Sequence, residues 1–260
     1  MSPLSLLRRA GLVAGLPIVL LALWWVATDS STSFYWPPLR EILGTFPETW
    51  LEGRLGSDVL PSLGRLLVGY ALALVLGISI GVLAGSSRTF RAVVEPPLEF
   101  LRSIPPPVLV PILILLAGVG NTMKVLVIAA GCVWPILLNT IEGVRGIDPV
   151  LRDAAAAYRL GPLTRVRHLV LRGASPQVAA GARQALSIGL ILMVISEMFA
   201  ASNGLGFTII QFQRGFAIPQ MWSGIVLLGL VGVLLSLVFR VVEGRLLAWY
   251  HGQRAAERKG

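Results

Sequence analysis

The sequence predicts an all-α polytopic membrane protein with six transmembrane helices. Only 13% of the 260 residues are charged and 55% are hydrophobic, unlike the composition of a soluble domain. Apolar runs recur along the chain at about the 20-residue length that a helix needs to cross a bilayer, and no run alternates like a barrel strand. The net charge of +9 is carried by residues between these runs, so it indicates basic loops rather than a nucleic-acid partner.

Charged residues bound the six candidate spans. Five runs contain no Asp, Glu, Lys or Arg, and one is interrupted only by Arg183 and Glu197; in chain order the runs are 10–28, 66–87, 103–123, 125–141, 176–201 and 215–239. The first follows Arg8 and Arg9 as a signal peptide would, but it is longer than a usual signal sequence and no small-residue cleavage site follows. We therefore expect a retained span.

The distribution of lysine and arginine predicts the orientation. With the N-terminus inside, sixteen basic residues flank the spans on the cytoplasmic side and five on the outer side. This bias is that of the positive-inside rule. Both termini, and the loop between the fourth and fifth spans, are therefore expected in the cytoplasm.

The connection between the first two spans, residues 29–64, contains aromatic anchors. We expect Trp36 and Trp50 at headgroup level and a short interfacial helix over residues 38–51. This connection is interpreted as scaffold rather than as a functional site.

The third run contains four prolines, which are Pro105, Pro106, Pro107 and Pro111. Proline removes backbone donors and clashes with the preceding turn, so a kinked or partly unwound segment is predicted. Irregular backbone at membrane depth must lie against protein or a water-filled cavity, which makes these prolines candidates for lining a transport pathway. The alternative is a helix that simply begins near Pro105 after a cytoplasmic lead-in.

The loop between the fourth and fifth spans is predicted to form two short amphipathic helices. Asp148 and Pro149 are typical of a helix start, and Gly161 with Pro162 is expected to end the first helix. Its apolar stripe consists of Leu151, Ala154, Ala155 and Tyr158, and its other faces carry Arg152, Asp153 and Arg159. A second helix is expected to carry Val166, Leu169 and Val170 on one side, and Ser175–Pro176 to start the fifth span.

Two interpretations of the first loop helix remain open. A helix lying on lipid headgroups would explain the arginines, whereas a compact alanine-rich face favours docking to a cytoplasmic partner.

At this loop the sequence resembles a known family, the permease subunits of binding-protein-dependent ABC importers, and more narrowly their nitrate/sulfonate/taurine-type branch. Asp153-Ala154-Ala155 stands where that family has Glu-Ala-Ala. The resemblance covers about residues 60–252 and includes SLGRLLVGYALALVLGISIGVLAGSSR (62–88), LRSIPPP (101–107), NTIEGVRGIDP (139–149), GAR (181–183), SEMFAASNGLG (196–206) and EGRLLAWYHG (243–252). Further along the loop, five residues keep the alignment with the family pattern; they are His168, Leu171, Gly173, Ala174 and Pro176. The chain departs from the pattern at Asp153, at Arg159 in place of the loop glycine, and at Arg172 in place of a proline.

The resemblance implies a type I ABC importer permease fold and a set of partners. These are two ATP-binding cassette subunits that hold ATP and Mg, a second permease (another copy or a homologous chain), and an extracytoplasmic substrate-binding protein. The resemblance places this chain itself in a bacterial inner membrane. This chain would bind no cofactor and catalyse no reaction, since it has no G-x-x-x-x-G-K-[ST] phosphate loop. The coupling residues implied are Leu151, Arg152, Asp153, Ala154, Ala155, Tyr158, Arg159 and Gly161.

The chain is expected to divide into residues 1–58, a core permease domain over 59–252 with its coupling loop at 143–175, and a basic tail at 253–260. Glu197 is a candidate pathway residue because ionisable groups inside spans are costly, although a structural role at the turn 203–206 is equally consistent. Arg183 and Met193 are further pathway candidates. Arg183 is expected to donate a hydrogen bond between helices, with a substrate role as the alternative, and Met193 is expected to pack rather than to line a ligand cage. The rival class is a stand-alone secondary transporter or channel, which predicts inverted repeats and more intramembrane charges.

Overall fold

The computed structural model describes residues 3–199, 201–250 and 252, with side chains from residue 15 onward. All regular elements in this part of the chain are helical. They are α1 (Pro3–Thr28), α2 (Leu39–Phe46), α3 (Leu60–Ser86), α4 (Arg88–Ser103), α5 (Leu109–Ala117), α6 (Asn121–Arg145), α7 (Pro149–Ala157), α8 (Pro162–Arg165), α9 (Leu171–Met198), α10 (Leu205–Arg214) and α11 (Ile218–Leu246). Wider π-helical stretches at Pro47–Val59 and Val166–Val170 and a 3₁₀ turn at Pro106–Val108 connect some of them. The predicted tail 253–260 and the side chains of Arg8 and Arg9 lie outside the described residues.

Four helical runs within the described residues are long and apolar enough to cross a membrane. They are Leu39–Ser86, Asn121–Arg145, Pro162–Met198 and Ile218–Leu246. The pair formed by Arg88–Ser103 and Pro106–Ala117 would add a fifth, but it is bent by 78°. The described apolar part of α1, Gly15–Thr28, is shorter than a full span. The six-span count and the orientation therefore stay predictions.

The expected third span, residues 103–123, is divided in the structure. The backbone breaks after Ser103, turns through Pro106–Val108, and continues as α5, which has only nine residues and is about 14 Å long. Gly118 then ends α5 with a φ of 74°, and Asn121 already starts α6. The prolines do interrupt the helix, but no full-length span begins at Pro105, because α5 alone is too short to cross.

The helix of the fifth span does not begin at Ser175–Pro176 as predicted. A single helical run extends from Pro162 to Met198, so the expected second loop helix is the first part of this run. Pro176 has no amide to donate to the Arg172 carbonyl, and Ser175 Oγ donates to that carbonyl at 2.8 Å instead. Because the hydroxyl replaces the missing donor, the helix continues through the proline.

Small residues let α3, α6 and α9 pack with their backbones close together. A Cβ at Gly81 of α3 would lie 2.6 Å from the Thr140 Cβ of α6, and a Cβ at Gly181 of α9 would lie 2.5 Å from the Pro135 oxygen of α6. Close approach through small residues is the usual packing of helices in membranes. These three helices form the centre of the main hydrophobic cluster.

The connection between α1 and α3 is helical over most of its length. Helix α2 lies within the interfacial helix expected at 38–51, and its π-helical extension runs directly into α3. Trp50 does not face lipid, because it is fully buried in the protein: its Nε1 donates to Ser223 Oγ at 2.9 Å, and its ring meets Phe212 edge-on. Its depth at headgroup level stays a prediction. Trp36 is 48% exposed and stacks edge-on against Trp222.

Candidate functional site

Helix α7 begins where the sequence predicts. Asp148 Oδ1 accepts a hydrogen bond from the Val150 amide at 2.8 Å, and Pro149 occupies the first helical turn. The side chain satisfies one of the amides that the first turn leaves without a partner, and proline has no amide to satisfy. The start of the loop helix is therefore fixed by two adjacent residues.

Helix α7 ends earlier than predicted, and Gly161 is not its terminator. The helix ends at Ala157, and Arg159 adopts a left-handed φ of 49°. The Leu160 amide donates to the Ala155 carbonyl at 3.1 Å and the Arg159 amide to the Ala156 carbonyl at 2.9 Å, which is the bonding pattern of a Schellman motif. Gly161 instead precedes α8 in an extended conformation. A non-glycine residue thus occupies the position that glycine usually takes.

The four residues of the predicted apolar stripe differ in exposure. Ala155 is buried and Ala154 is half-buried. Leu151 and Tyr158 are exposed, by 55% and 82%. Ala155 is therefore covered by this chain itself, and the coupling role of all four residues stays a prediction. Two further apolar side chains of the loop are also exposed, Val150 and Leu163.

Arg152, one of the coupling residues that the resemblance implies, contacts its own chain. Its Nη2 donates to the carbonyl oxygens of Val144 and Arg145, at the last turn of α6. A cation there satisfies carbonyls that have no partner in the helix and complements the negative end of the helix dipole. Arg152 therefore fixes α7 to α6. Asp153 is exposed and makes no ion pair with any residue in the described part of the chain.

At the opposite end of α6 a buried arginine joins four segments. Arg65, near the start of α3, is only 5% exposed. Its Nη1 lies 2.6 Å from Glu197 Oε1 near the end of α9, its Nε donates to Asn121 Oδ1 at 2.8 Å, and its Nη2 donates to Asn203 Oδ1. A guanidinium group can bond to several segments at once, because its planar N–H donors point in several fixed directions.

Glu197 ties the end of α9 to the turn at 203–206. Ser62 Oγ lies 2.8 Å from both Glu197 carboxylate oxygens, and the Gly206 amide donates to Oε2 at 3.1 Å. The neighbouring carboxylate, Asp58, accepts from the Gly204 amide at 2.9 Å. These acceptors satisfy amides at the start of α10. These contacts agree with a structural role for Glu197 at the turn 203–206.

The other pathway candidates are not brought together with Glu197. Arg183 forms an ion pair with Glu243 of α11, between two helices, and lies about 21 Å along α9 from Glu197. Met193 is fully buried in the hydrophobic core. Among the prolines, Pro106 lies against α6 near Gly131, while Pro105 and Pro111 are exposed.

Sequence reasoning missed the partners of Glu197. Arg65 and Lys124 were counted among the basic residues of the outer side, and Ser62 and Arg65 lie in the segment 62–88 that carries the resemblance, but none of them was assigned a place beside Glu197. Asp58 and Asn121 were not predicted to be there either. The signal that could have found Arg65 is charge balance: a carboxylate inside a span needs a nearby cation, and Arg65 and Lys124 are predicted at the same end of their spans.

Residues 73–248 match the family of binding-protein-dependent transport system inner membrane components, and the chain belongs to that family. It lies in the sulfonate/taurine/nitrate branch of ABC permeases. Family membership favours an importer permease over the stand-alone transporter that the sequence left as a rival.

Relatives match over nearly the whole chain. The putative aliphatic sulfonates transport permease of Bacillus subtilis is 31% identical over 93% of this chain and 89% of its own length. The taurine transport system permease of Escherichia coli is 30% identical over 96% of this chain and 93% of its own length. A chain of the MetNI methionine ABC transporter has a TM-score of 0.59 at 22% identity, over 73% of this chain and 94% of its own. The last likeness shows the permease fold.

Proposed function

We propose that this permease imports a small solute of the nitrate/sulfonate/taurine class into a bacterial cell, across the inner membrane. It would act with a second permease, either another copy or a homologous chain, with two ATP-binding subunits, and with an extracytoplasmic binding protein that delivers the solute. The names of the sulfonate and taurine relatives support this class of solute. ATP and Mg would be held by the ATP-binding subunits, because this chain has no phosphate-binding loop of the P-loop type.

The observation that carries the proposal is the exposed apolar surface of the loop between α6 and α9. We call it the docking face; it consists of Val150, Leu151, Tyr158 and Leu163. Their exposed fractions lie between 55% and 82%. Burying an apolar side chain of this size stabilises a complex by about 1.5–3 kcal/mol. A surface of this kind on a predicted cytoplasmic loop fits a groove on a partner protein.

The docking face is rigidly connected to the membrane helices. Arg152 bonds α7 to the end of α6, and Asp148 fixes the first turn. Gly181 brings α9 into backbone contact with α6. Closure of the ATP-binding subunits would therefore move α7, α6 and α9 together. This movement would switch the pathway between outward and inward access.

The test uses two glutamate substitutions on opposite sides of α7. Leu151→Glu places a charge on the docking face, whereas Ala156→Glu places it about 140° away around the same helix, at another exposed position. We expect Leu151→Glu to remove co-purification of the ATP-binding subunit and ATP-dependent uptake, while the protein stays in the membrane. Ala156→Glu should retain both. Full uptake by Leu151→Glu, or equal loss in the two variants, would contradict docking through this face.

A further inference from the structure

A cavity opens beside the buried arginine network. It has a volume of about 420 Å³ and lies between the start of α6 and the segment after α9. Its polar lining consists of Gly120, Asn121, Lys124, Ser202 and Asn203. This volume is within the range of small-molecule sites. The cavity is at the end of the helices that the charge distribution predicts to be extracytoplasmic.

Lys124 is the unusual residue of this cavity. It is only 3% exposed, and its side chain makes no hydrogen bond or ion pair with any residue of the described ranges 3–199 and 201–250. Its stem is buried, while its ammonium is not among the fully buried polar atoms that lack a partner, which in the described residues is Thr208 Oγ1 alone. An ammonium in the wall of a cavity loses part of the hydration that its charge requires, and this is costly without a counter-ion. Such a group in the wall of a cavity indicates a ligand that supplies the missing negative charge.

The nearby carboxylates are already occupied. Glu197 accepts hydrogen bonds from Arg65, Ser62 and Gly206, and Asp58 forms an ion pair with Arg54 at 3.3 Å. The network therefore has three cations, counting Lys124, for two carboxylates. Lys124 is the cation of this network that has no carboxylate of the described residues within ion-pair distance.

The start of α6 adds hydrogen-bond donors and a partial positive charge to that of Lys124. The helix has 25 residues, and no side chain caps its first turn, which begins after Gly120. Its first amides therefore present hydrogen-bond donors and the positive end of the helix dipole to the cavity. Asn121 accepts from Arg65 through Oδ1, so its amide nitrogen remains available as a further donor.

We propose that this cavity binds one small oxoanion, a sulfonate or nitrate group, as an entry site on the permease for the solute that the binding protein releases. Lys124 supplies the counter-charge, and the first amides of α6 supply hydrogen bonds to the anion oxygens. The identity of the solute in this inference rests on the proposed function, whereas the charge of the ligand is inferred from the cavity alone. A lipid phosphate would offer the same oxoanion chemistry, so the test separates the two sources.

The chain is well suited to a direct test, because Lys124 and Lys259 are its only lysines. The assembled complex, in a maltoside detergent free of phospholipid, is treated with a small amine-acylating reagent, and the labelled peptides are quantified by mass spectrometry. The probes are nitrate and methanesulfonate, with glucose as a neutral solute and Lys259 as the internal reference. At a probe concentration that fills ~80% of sites, labelling of Lys124 should slow about fivefold, because only the empty fraction reacts.

Variants connect the cavity to transport. Lys124→Met keeps an unbranched side chain one atom shorter and removes its charge, and Lys124→Arg keeps the charge. Arg40→Met removes an exposed charge near the predicted outer end. Loss of a charge-assisted hydrogen bond should raise the KM for uptake roughly tenfold in Lys124→Met. Lys124→Arg should restore most of the affinity, and Arg40→Met should leave it unchanged.

The outcomes are separable. The proposal is overturned if neither anion slows the labelling of Lys124, or if glucose slows it equally. It is also overturned if the labelling slows only after phospholipid is added, because the cavity would then bind a lipid headgroup. Stimulation of ATP hydrolysis by the loaded binding protein tests the proposed function independently. If stimulation is absent while both anions protect Lys124, the function fails and the anion site stands.

Discussion

Arg65 Nη1 lies 2.6 Å from Glu197 Oε1, so two residues that are 132 positions apart in sequence form a buried ion pair between α3 and α9. Both are almost inaccessible, at 5% and 0% exposure. The same guanidinium reaches the start of α6 through Asn121. Three of the longest helices are thus joined at one end by a single side chain.

Removing one partner of this pair should be strongly destabilising. Glu197→Ala leaves the Arg65 charge buried without a counter-charge, and we expect a loss of about 3–5 kcal/mol in unfolding free energy. The measurement is thermal unfolding of the purified protein in detergent. Glu99→Ala is the matched control, because its pair with Arg102 is exposed on both sides and should contribute little. Similar melting temperatures for the two variants would refute a structural role for the pair.

Gly204 should tolerate no side chain. Its φ is +121°, and a Cβ there would lie 2.4 Å from the Glu197 carboxyl carbon. Gly204→Ala combines backbone strain with a clash against a buried, fully bonded carboxylate, and should cost about 2–4 kcal/mol. Gly229→Ala, in α11, meets nothing within 4 Å and should be neutral or slightly stabilising. Thermal unfolding distinguishes them, and a stable Gly204→Ala would disprove the tight turn.

Arg159→Gly should stabilise the end of α7. The left-handed φ of 49° costs an arginine about 1–2 kcal/mol. Glycine avoids this cost but loses more backbone entropy on folding, so the net gain in stability should be about 0.5–1 kcal/mol. Hydrogen exchange of the α7 amides is the measurement, and protection should increase in Arg159→Gly. Arg159→Val should reduce protection, since a β-branched residue is least compatible with this conformation. The reverse order would contradict the Schellman ending.

The contact between α3 and α6 should depend on glycine at Gly81. A Cβ there would lie 2.6 Å from the Thr140 Cβ and 3.0 Å from the Leu137 oxygen. Gly81→Ala should therefore separate the helices at a cost of about 1–3 kcal/mol. Gly64→Ala, on the same helix with nothing within 4 Å, is the control and should cause no loss of stability. Equal tolerance of both alanines in thermal unfolding would show that the two helices pack less closely.

Particular residues show how far sequence reasoning reached. Asp148 and Pro149 predicted the start of α7 correctly, because a cap and a first-turn proline act within three residues. Ser175–Pro176 has the same local pattern but lies inside a helix, because Ser175 satisfies the carbonyl that the proline leaves free. Span boundaries were placed at charges, so they missed helices that continue past charged residues, as α6 does to Arg145.

The sequence by itself determined the helical membrane class, the family and the position of the loop helix, since these depend on composition, local periodicity and short-range capping. Only the tertiary structure decided that Ala155 faces the chain, that Arg152 bonds to α6, and that Arg65 rather than Lys124 pairs with Glu197. Each depends on which side chains from distant segments meet in a region of low dielectric, where the direction of one side chain decides whether a charge is paired. No pattern within a single helix contains that information.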